Sequence, residues 1–174
     1  MQSRRSVLIG TAVSPLAIRA ALAKGSYNTE LLKLTVGLNK TTVPLDDEFA
    51  IVCTLEARLK FCRVYVPLSW GSERGFRLKI EAAGGKPNEP NLHPPGPPMA
   101  NMFKDGSHFR ELDVGESTSL RSVLKARDVF GAQGAFKLSV LYVPEPLKAF
   151  TGVQDAIVFE NGIVESGATR MKVV

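Results

Sequence analysis

The sequence contains few of the residues on which catalytic and metal sites are usually built. Its 174 residues include two histidines, two cysteines and one tryptophan. Cys53 and Cys62 are not spaced as Cys-x-x-Cys, so neither a redox dithiol nor a four-ligand zinc site has support in the sequence. The chain also lacks a Gly-x-Ser-x-Gly elbow, a His-Glu-x-x-His motif and a phosphate-binding glycine loop. We therefore expect a protein that is not an enzyme and needs no cofactor.

Long runs of charge and of apolar residues are missing as well. The formal charge is +5, but residues 1–23 hold three arginines and no acid, so their removal leaves about +2. No run of five or more Lys or Arg follows, which argues against nucleic acid as a partner. No apolar stretch reaches the roughly 20 residues of a transmembrane helix, so we expect no permanent membrane span. The 44% hydrophobic and 22% charged residues are typical of a folded domain.

The first 23 residues have the three parts of an export signal. Arg4 and Arg5 lie in a short polar start, an apolar segment spans 7–22, and Ala21 and Ala23 form an A-x-A cleavage site. The segment SRRSVL at 3–8 resembles the twin-arginine (Tat) signal, although valine replaces the usual aromatic residue. The resemblance implies a helical signal peptide that the twin-arginine export machinery recognises through Arg4 and Arg5, and a periplasmic or secreted bacterial protein. The alternative is an ordinary secretory signal that begins with two arginines.

After residue 24 the chain is a succession of short segments in which apolar and polar residues alternate. A period of two is typical of half-buried strands. We predict strands at 32–38, 48–55, 62–68, 77–82, 109–114, 119–126, 136–142, 157–159, 163–166 and 169–174, with a corner or single helical turn at 127–131. Asn161 and Gly162, between two of these strands, predict a hairpin. The spacing of the turns predicts one all-β domain at 24–174, an antiparallel sandwich or barrel.

Three short motifs resemble those of exported bacterial immunoglobulin-like sandwiches. They are DDEFAI at 46–51, VGES at 114–117 and GAFKL at 134–138. The resemblance implies an antiparallel immunoglobulin-like β-sandwich of about 7–9 strands. This architecture hosts many functions and does not choose one. Since enzyme motifs are absent, we expect a non-enzymatic binding or interaction module of the bacterial envelope, with an unknown protein partner. Antibody domains also have a cysteine and a tyrosine corner on the sixth strand, and this chain has neither there. We therefore expect the architecture of such domains without close kinship to antibodies.

The stretch at 48–70 holds both cysteines and the tryptophan, and the alternation predicts two consecutive strands. A turn near Ala57 and Arg58 would place Cys53 opposite Cys62, which permits a disulfide in an oxidising compartment. The sequence is equally consistent with two free, buried thiols that act as small apolar side chains. We expect Trp70 to lie in the core.

A long irregular segment at 84–107 contains the proline-rich run HPPGPP at 93–98. Loops of this length within a compact domain are uncommon and tend to be functional or mobile. Because loops on a rigid sandwich commonly carry recognition, we expect the partner to bind this loop or an open sheet edge. An exposed loop would also suit a proteinase inhibitor, which is one alternative function. A second alternative is periplasmic copper binding, because His93, Met99, Met102 and His108 carry ligand atoms that copper prefers.

Overall fold

The computed structural model describes residues 31–58, 62–65, 70, 75–92, 109–143, 157–158 and 163–174. This part of the chain is mostly β, as the alternation predicts. The elements are β1 (Leu32–Leu38), β2 (Thr42–Val43), β3 (Glu48–Ala57), β4 (Cys62–Tyr65), β5 (Gly75–Ala82), β6 (Phe109–Leu112), β7 (Ser117–Lys125), α1 (Ala126–Phe130), β8 (Gly134–Val143), β9 (Ile157–Val158), β10 (Val164–Glu165) and β11 (Thr169–Val173).

The strands form three sheets. Sheet A is antiparallel, in the order β1–β3–β7. Sheet B is built around β8, which pairs with β5 along one edge and with β10 and then β11 along the other. The short strand β2 extends sheet B by pairing in parallel with β11. Sheet C has the order β6–β4–β9, with β4 and β9 parallel.

Alternating apolar residues of sheets A and B form one core. On β3 every second side chain is buried, and the residues between them are only partly covered or exposed. The inward positions of β5 and β8 contribute the facing side of the same cluster. The core residues of these three strands are Phe49, Ile51, Cys53, Leu55, Ala57, Phe76, Leu78, Ile80, Leu138, Val140 and Tyr142. Burial of these apolar side chains is the main contribution that favours folding.

Aromatic side chains connect the two sheets at two places. Phe130 of α1 lies between Phe49 of sheet A, with ring centroids 5.7 Å apart, and Phe136 of sheet B, at 4.9 Å. The buried Trp70 packs edge-on against Phe76 of sheet B at 6.2 Å. Its indole N–H donates a hydrogen bond of 3.0 Å to Ser122 Oγ in sheet A. The expectation that Trp70 belongs to the core is confirmed.

The helical turn predicted at 127–131 is present as α1, which ends at Phe130 and is capped by Gly131. The φ of Gly131 is 71°, in the left-handed region, and its N–H donates to the carbonyl oxygen of Arg127 at 2.9 Å. Glycine favours this helix-ending conformation because it has no Cβ. Among the described residues, no helix is long and apolar enough to cross a membrane.

The strand along the second edge of β8 is interrupted at Ser166. The Ser166 N–H donates to the Val140 carbonyl, and the Val140 N–H donates to Ser166 Oγ, both at 2.9 Å. Ser166 Oγ in turn donates to the Gly167 carbonyl at 3.0 Å. The serine hydroxyl therefore takes the place of the backbone acceptor that an unbroken strand would offer to Val140.

Two hairpin predictions made from the sequence are wrong. The strand β3 pairs with β1 and β7, whereas β4 pairs with β6 and β9, so the two consecutive strands belong to different sheets. The strands β9 and β10 on either side of Asn161 and Gly162 also lie in different sheets. Alternation shows which face of a strand is buried, but contacts distant in the sequence choose its partner, and that is the reason for both errors.

Candidate functional site

The outer face of sheet A, opposite the shared core, carries a shallow groove of about 340 Å³. This volume is at the lower end of the range for ligand-binding sites. All three strands of sheet A contribute, because the register places Gly37 of β1, Val52 of β3 and Arg121 of β7 in one row. The residues that line the groove are Gly37, Leu38, Asn39, Ala50, Val52 and Arg121.

The groove is open because position 37 has no side chain. A Cβ placed on Gly37 would meet no heavy atom within 4 Å. Gly37 does not have a positive φ either, so the backbone does not require glycine here. Glycine in the interior of a strand weakens the strand and often marks a place where a ligand or another backbone approaches closely. The fold itself therefore gives no reason for glycine at this position.

The floor of the groove is apolar and one wall is positively charged. Ala50 and Val52 are half-buried, and the neighbouring Val123 on β7 is 59% exposed. Arg121 is exposed, and within the described residues it has neither a hydrogen-bond nor an ion-pair partner. By contrast, Lys33 on the same sheet lies 3.8 Å from the carboxylate of Glu56. No described residue therefore uses the donors of the Arg121 guanidinium.

Asn39 forms the wall at the opposite side. Its side-chain oxygen accepts a hydrogen bond of 2.6 Å from the Ala50 N–H, and its own N–H donates to the Ala50 carbonyl at 3.2 Å. The side-chain NH₂ group of Asn39 has no acceptor in the part of the chain that the structure describes. Asn39 and Arg121 therefore both offer free hydrogen-bond donors, and the lining contains no carboxylate.

The acidic turn before β3 is already neutralised by cations of the chain itself. Lys40 Nζ contacts an Asp47 carboxylate oxygen at 2.8 Å and the Glu48 carbonyl oxygen at 3.1 Å. The hydrogen bond from Lys40 holds the pKa of Asp47 below its ordinary value. Arg127 Nε donates to Asp46 at 2.7 Å. Asp46 and Asp47 therefore already have cationic partners within the chain.

A second polar cluster lies in sheet B, and its members bond to one another. Glu165 Oε1 accepts a hydrogen bond from Lys79 Nζ at 2.9 Å and another from Ser139 Oγ at 3.0 Å. Ser139 is buried, and the carboxylate that accepts a hydrogen bond from its hydroxyl also accepts one from Lys79. These hydrogen bonds connect β5, β8 and β10 through their side chains.

Most of the residues singled out in the sequence lie outside the described residues. They are Arg4, Arg5, Ala21 and Ala23 of the export signal, and His93, Met99, Met102 and His108 of the proline-rich segment. The signal, copper and proteinase-inhibitor hypotheses thus stay predictions. Within the described ranges, no group of three or more His, Cys, Asp or Glu residues could hold a metal ion.

Cys53 is a free thiol, buried in the core. The hairpin that would have placed it opposite Cys62 does not exist. The backbone of Cys62 instead pairs with Leu112 of β6 and Ile157 of β9, and its side chain is outside the described residues. Burial raises the pKa of the Cys53 thiol to about 12.

The raised pKa predicts a loss of stability in alkali. The unfolded thiol ionises from about pH 9, but the folded thiol stays protonated until about pH 12. Above pH 9 the unfolded state therefore binds fewer protons, and the free energy of unfolding falls by at most about 1.4 kcal/mol per pH unit. Urea unfolding of a Cys62→Ser chain below and above pH 9 measures the slope. Adding Cys53→Ala should remove this part of the pH dependence, and an unchanged slope would contradict the assignment.

The groove residues Gly37, Asn39 and Arg121 were not identified from the sequence. The one available signal was Gly37 itself, because a glycine within the alternating segment LKLTVGL is unfavourable for a strand. Arg121 on β7 looks like any solvent-exposed charge until the sheet brings it beside Gly37.

Neither steric crowding nor a positive φ requires glycine at position 37, so Gly37→Val should stabilise the protein. Higher strand propensity and a less flexible unfolded chain should raise the free energy of unfolding by about 0.5–1 kcal/mol. Gly115→Val is a matched control, because its surroundings are equally open but its φ is +84°. This control should cost about 1–3 kcal/mol. Thermal unfolding of both variants measures the difference, and destabilisation by Gly37→Val would show that the fold needs this glycine.

No family model and no curated protein matches this chain. The crystal structure of Spo0M, a sporulation control protein from Bacillus subtilis, aligns with a TM-score of 0.43 and 8% identity over 82% of this chain and 49% of Spo0M. The chain thus spans about half the length of that structure. AvmM, which catalyses macrocyclisation in alchivemycin A biosynthesis, aligns with a TM-score of 0.35 and 11% identity over 81% of this chain and 88% of AvmM. At these low TM-scores, neither similarity supports an inference about fold or activity.

Proposed function

We propose that the chain is an exported, non-enzymatic binding module of the bacterial envelope, and that it binds a protein partner through the groove over Gly37. The observation that carries this proposal is an open apolar groove at a glycine that the fold does not need, beside Arg121, which has no partner among the described residues. A position that lowers strand stability without a structural reason is commonly explained by function. The polar cluster of Lys79, Ser139 and Glu165 is satisfied internally, which favours binding over catalysis.

We further propose that the domain is an immunoglobulin-like sandwich. The order β1–β3–β7 in sheet A corresponds to strands A, B and E of such domains. The order β5–β8–β10/β11 in sheet B corresponds to strands C, F and G. This correspondence supports the arrangement that the three sequence motifs imply. Recognition on such a scaffold commonly uses its loops, but the described groove lies on a sheet face.

The proposed route of export depends on Arg4 and Arg5. We expect residues 1–30, fused to a reporter protein, to direct export, and we expect Lys at both positions to abolish it. The physical reason is that the export machinery recognises the paired guanidinium groups, which the ammonium groups of lysine do not replace. Reporter activity in the periplasmic fraction measures the effect. Unchanged export of the double-lysine signal would exclude the twin-arginine route.

The proposed binding surface can be tested with a photo-crosslinking amino acid placed at single positions of the exported chain. At Val123, beside the groove, we expect a discrete covalent adduct with one envelope protein, which mass spectrometry then identifies. The control position is Arg170 of β11, which is also exposed but belongs to sheet B. An adduct at Arg170 with none at Val123, or adducts at neither position, would contradict binding through sheet A.

A further inference from the structure

The polar side-chain groups of the groove that have no partner among the described residues are all donors. Arg121 offers a guanidinium group and Asn39 an NH₂ group, while the Asn39 side-chain oxygen is already used by the Ala50 N–H. A ligand must therefore bring acceptors, and a carboxylate brings both the acceptors and the opposite charge. We propose that the groove binds an acidic segment of a partner protein, with its carboxylate on Arg121 and a small apolar side chain above Gly37. This inference rests on the proposed function and adds the chemical class of the partner.

The charges along β7 favour an acidic partner. The outward positions of this strand are Ser117, Ser119, Arg121, Val123 and Lys125, which include two cations and no acid. In the described residues, Lys125 also has no ion-pair partner, although the register places it opposite Glu48. By contrast, Lys33 of β1 is paired with Glu56, and Lys40 in the turn after β1 is paired with Asp47. Against the two cations of β7 the register places one carboxylate, that of Glu48, so this strand keeps a net positive charge on the outer face.

The apolar part of the ligand follows from the floor of the groove. Ala50 and Val52 form a half-buried surface below the open space at Gly37, and Val123 continues it towards Lys125. A volume of about 340 Å³ is small for a drug-sized molecule, since ligand pockets range up to about 1,000 Å³. One apolar side chain of an extended segment, next to an acidic residue, fits both the size and the charge.

The test is an array of short synthetic peptides in which acidic and apolar residues are scanned position by position, probed with the full-length chain. We expect retention of peptides that carry Asp or Glu next to an apolar residue, and weaker retention of their Asn or Gln counterparts. Arg121→Gln should reduce binding of the acidic peptides by about 10- to 100-fold, because a charge-assisted hydrogen bond is lost. Gly37→Val should reduce it because its side chain fills the groove. Arg170→Gln, which removes an exposed cation of sheet B, should change nothing.

The outcomes separate the two proposals. If Gly37→Val abolishes binding but Arg121→Gln and the amide peptides bind like wild type, the acidic class of the partner is wrong and the groove remains the binding surface. If neither substitution changes retention, the groove itself is wrong and the proposed function fails with it. Retention that requires a phosphate group on the peptide, or no retained peptide at all, also overturns the acidic-partner inference. Loss of acidic-peptide binding in both Arg121→Gln and Gly37→Val, with Arg170→Gln unaffected, is the result expected.

Discussion

Phe76→Ala should lower the free energy of unfolding by about 3–5 kcal/mol. The Phe76 side chain is fully buried, with its ring centroid 5.3 Å from that of Tyr142 and 6.2 Å from that of Trp70. Trp70 in turn donates a hydrogen bond to Ser122 of sheet A. Truncation would therefore leave a cavity in sheet B and loosen the side chain that connects it to sheet A. Denaturant unfolding followed by the fluorescence of Trp70, the only tryptophan in the chain, measures the loss.

Val123→Ala is the control for this measurement. Val123 is 59% exposed, so its truncation should change the free energy of unfolding by less than about 0.5 kcal/mol. The contrast between the two substitutions separates burial in the shared core from apolar character alone. A loss at Phe76 as small as that at Val123 would contradict a single core between sheets A and B.

Ser166→Ala should cost about 1–3 kcal/mol, more than the loss of an ordinary hydrogen bond. The Val140 N–H is in the centre of sheet B, and Ser166 Oγ is its acceptor at 2.9 Å. Alanine at 166 would leave that buried donor without a partner and without access to water. Hydrogen exchange at the Val140 amide, combined with denaturant unfolding, should therefore show faster exchange and lower stability together.

Ser139→Ala provides the matched comparison. Ser139 and Ser166 are each 6% exposed, and Ser166 directly follows β10, the neighbour of β8. Among the described residues, however, no backbone amide donates to the Ser139 hydroxyl. The carboxylate of Glu165 keeps Lys79 as a donor after this substitution, so the cost should be about 0.5–1.5 kcal/mol. Equal losses of stability in the two variants, or an unchanged exchange rate of the Val140 amide in Ser166→Ala, would show that the Ser166 hydroxyl does not replace the backbone acceptor of an unbroken strand.

The local part of this fold is readable in the sequence. Alternation along 48–55 and 136–142 predicts strands, and the structure has β3 and β8 there with Phe49, Ile51, Leu138 and Val140 in the core. The position of α1 is also predicted. These features depend on neighbours within a few residues, whose side chains alternate between the two faces of the sheet.

The pairing of the strands is not readable in the same way. Nothing local to Cys62 indicates that β4 pairs with β6 and β9 rather than with β3, and the expected position opposite Cys53 fails for that reason. The role of Ser166 as the acceptor for the Val140 N–H likewise cannot be predicted from the sequence, because Val140 is distant along the chain. Such contacts are selected by packing of the whole domain.

The groove depends on both local sequence and strand pairing. The row of Gly37, Val52 and Arg121 that lines it forms only when β1, β3 and β7 pair, since the three residues come from separate segments. That no residue of the described part of the chain pairs with Arg121 is likewise a property of the folded sheet. An unfavourable glycine in a strand was the one local sign, and it indicates a site without indicating its chemistry.

Gly37→Val tests the groove over Gly37 most directly, because the substitution fills the groove without disturbing the fold. The measurement is the affinity of wild-type and substituted chains for the envelope protein that is crosslinked at Val123. We predict a Gly37→Val chain that is at least as stable as wild type and binds that protein about tenfold more weakly or worse, a loss of about 1.4 kcal/mol. A stable Gly37→Val chain that binds the same protein as tightly as wild type would contradict recognition through the outer face of sheet A.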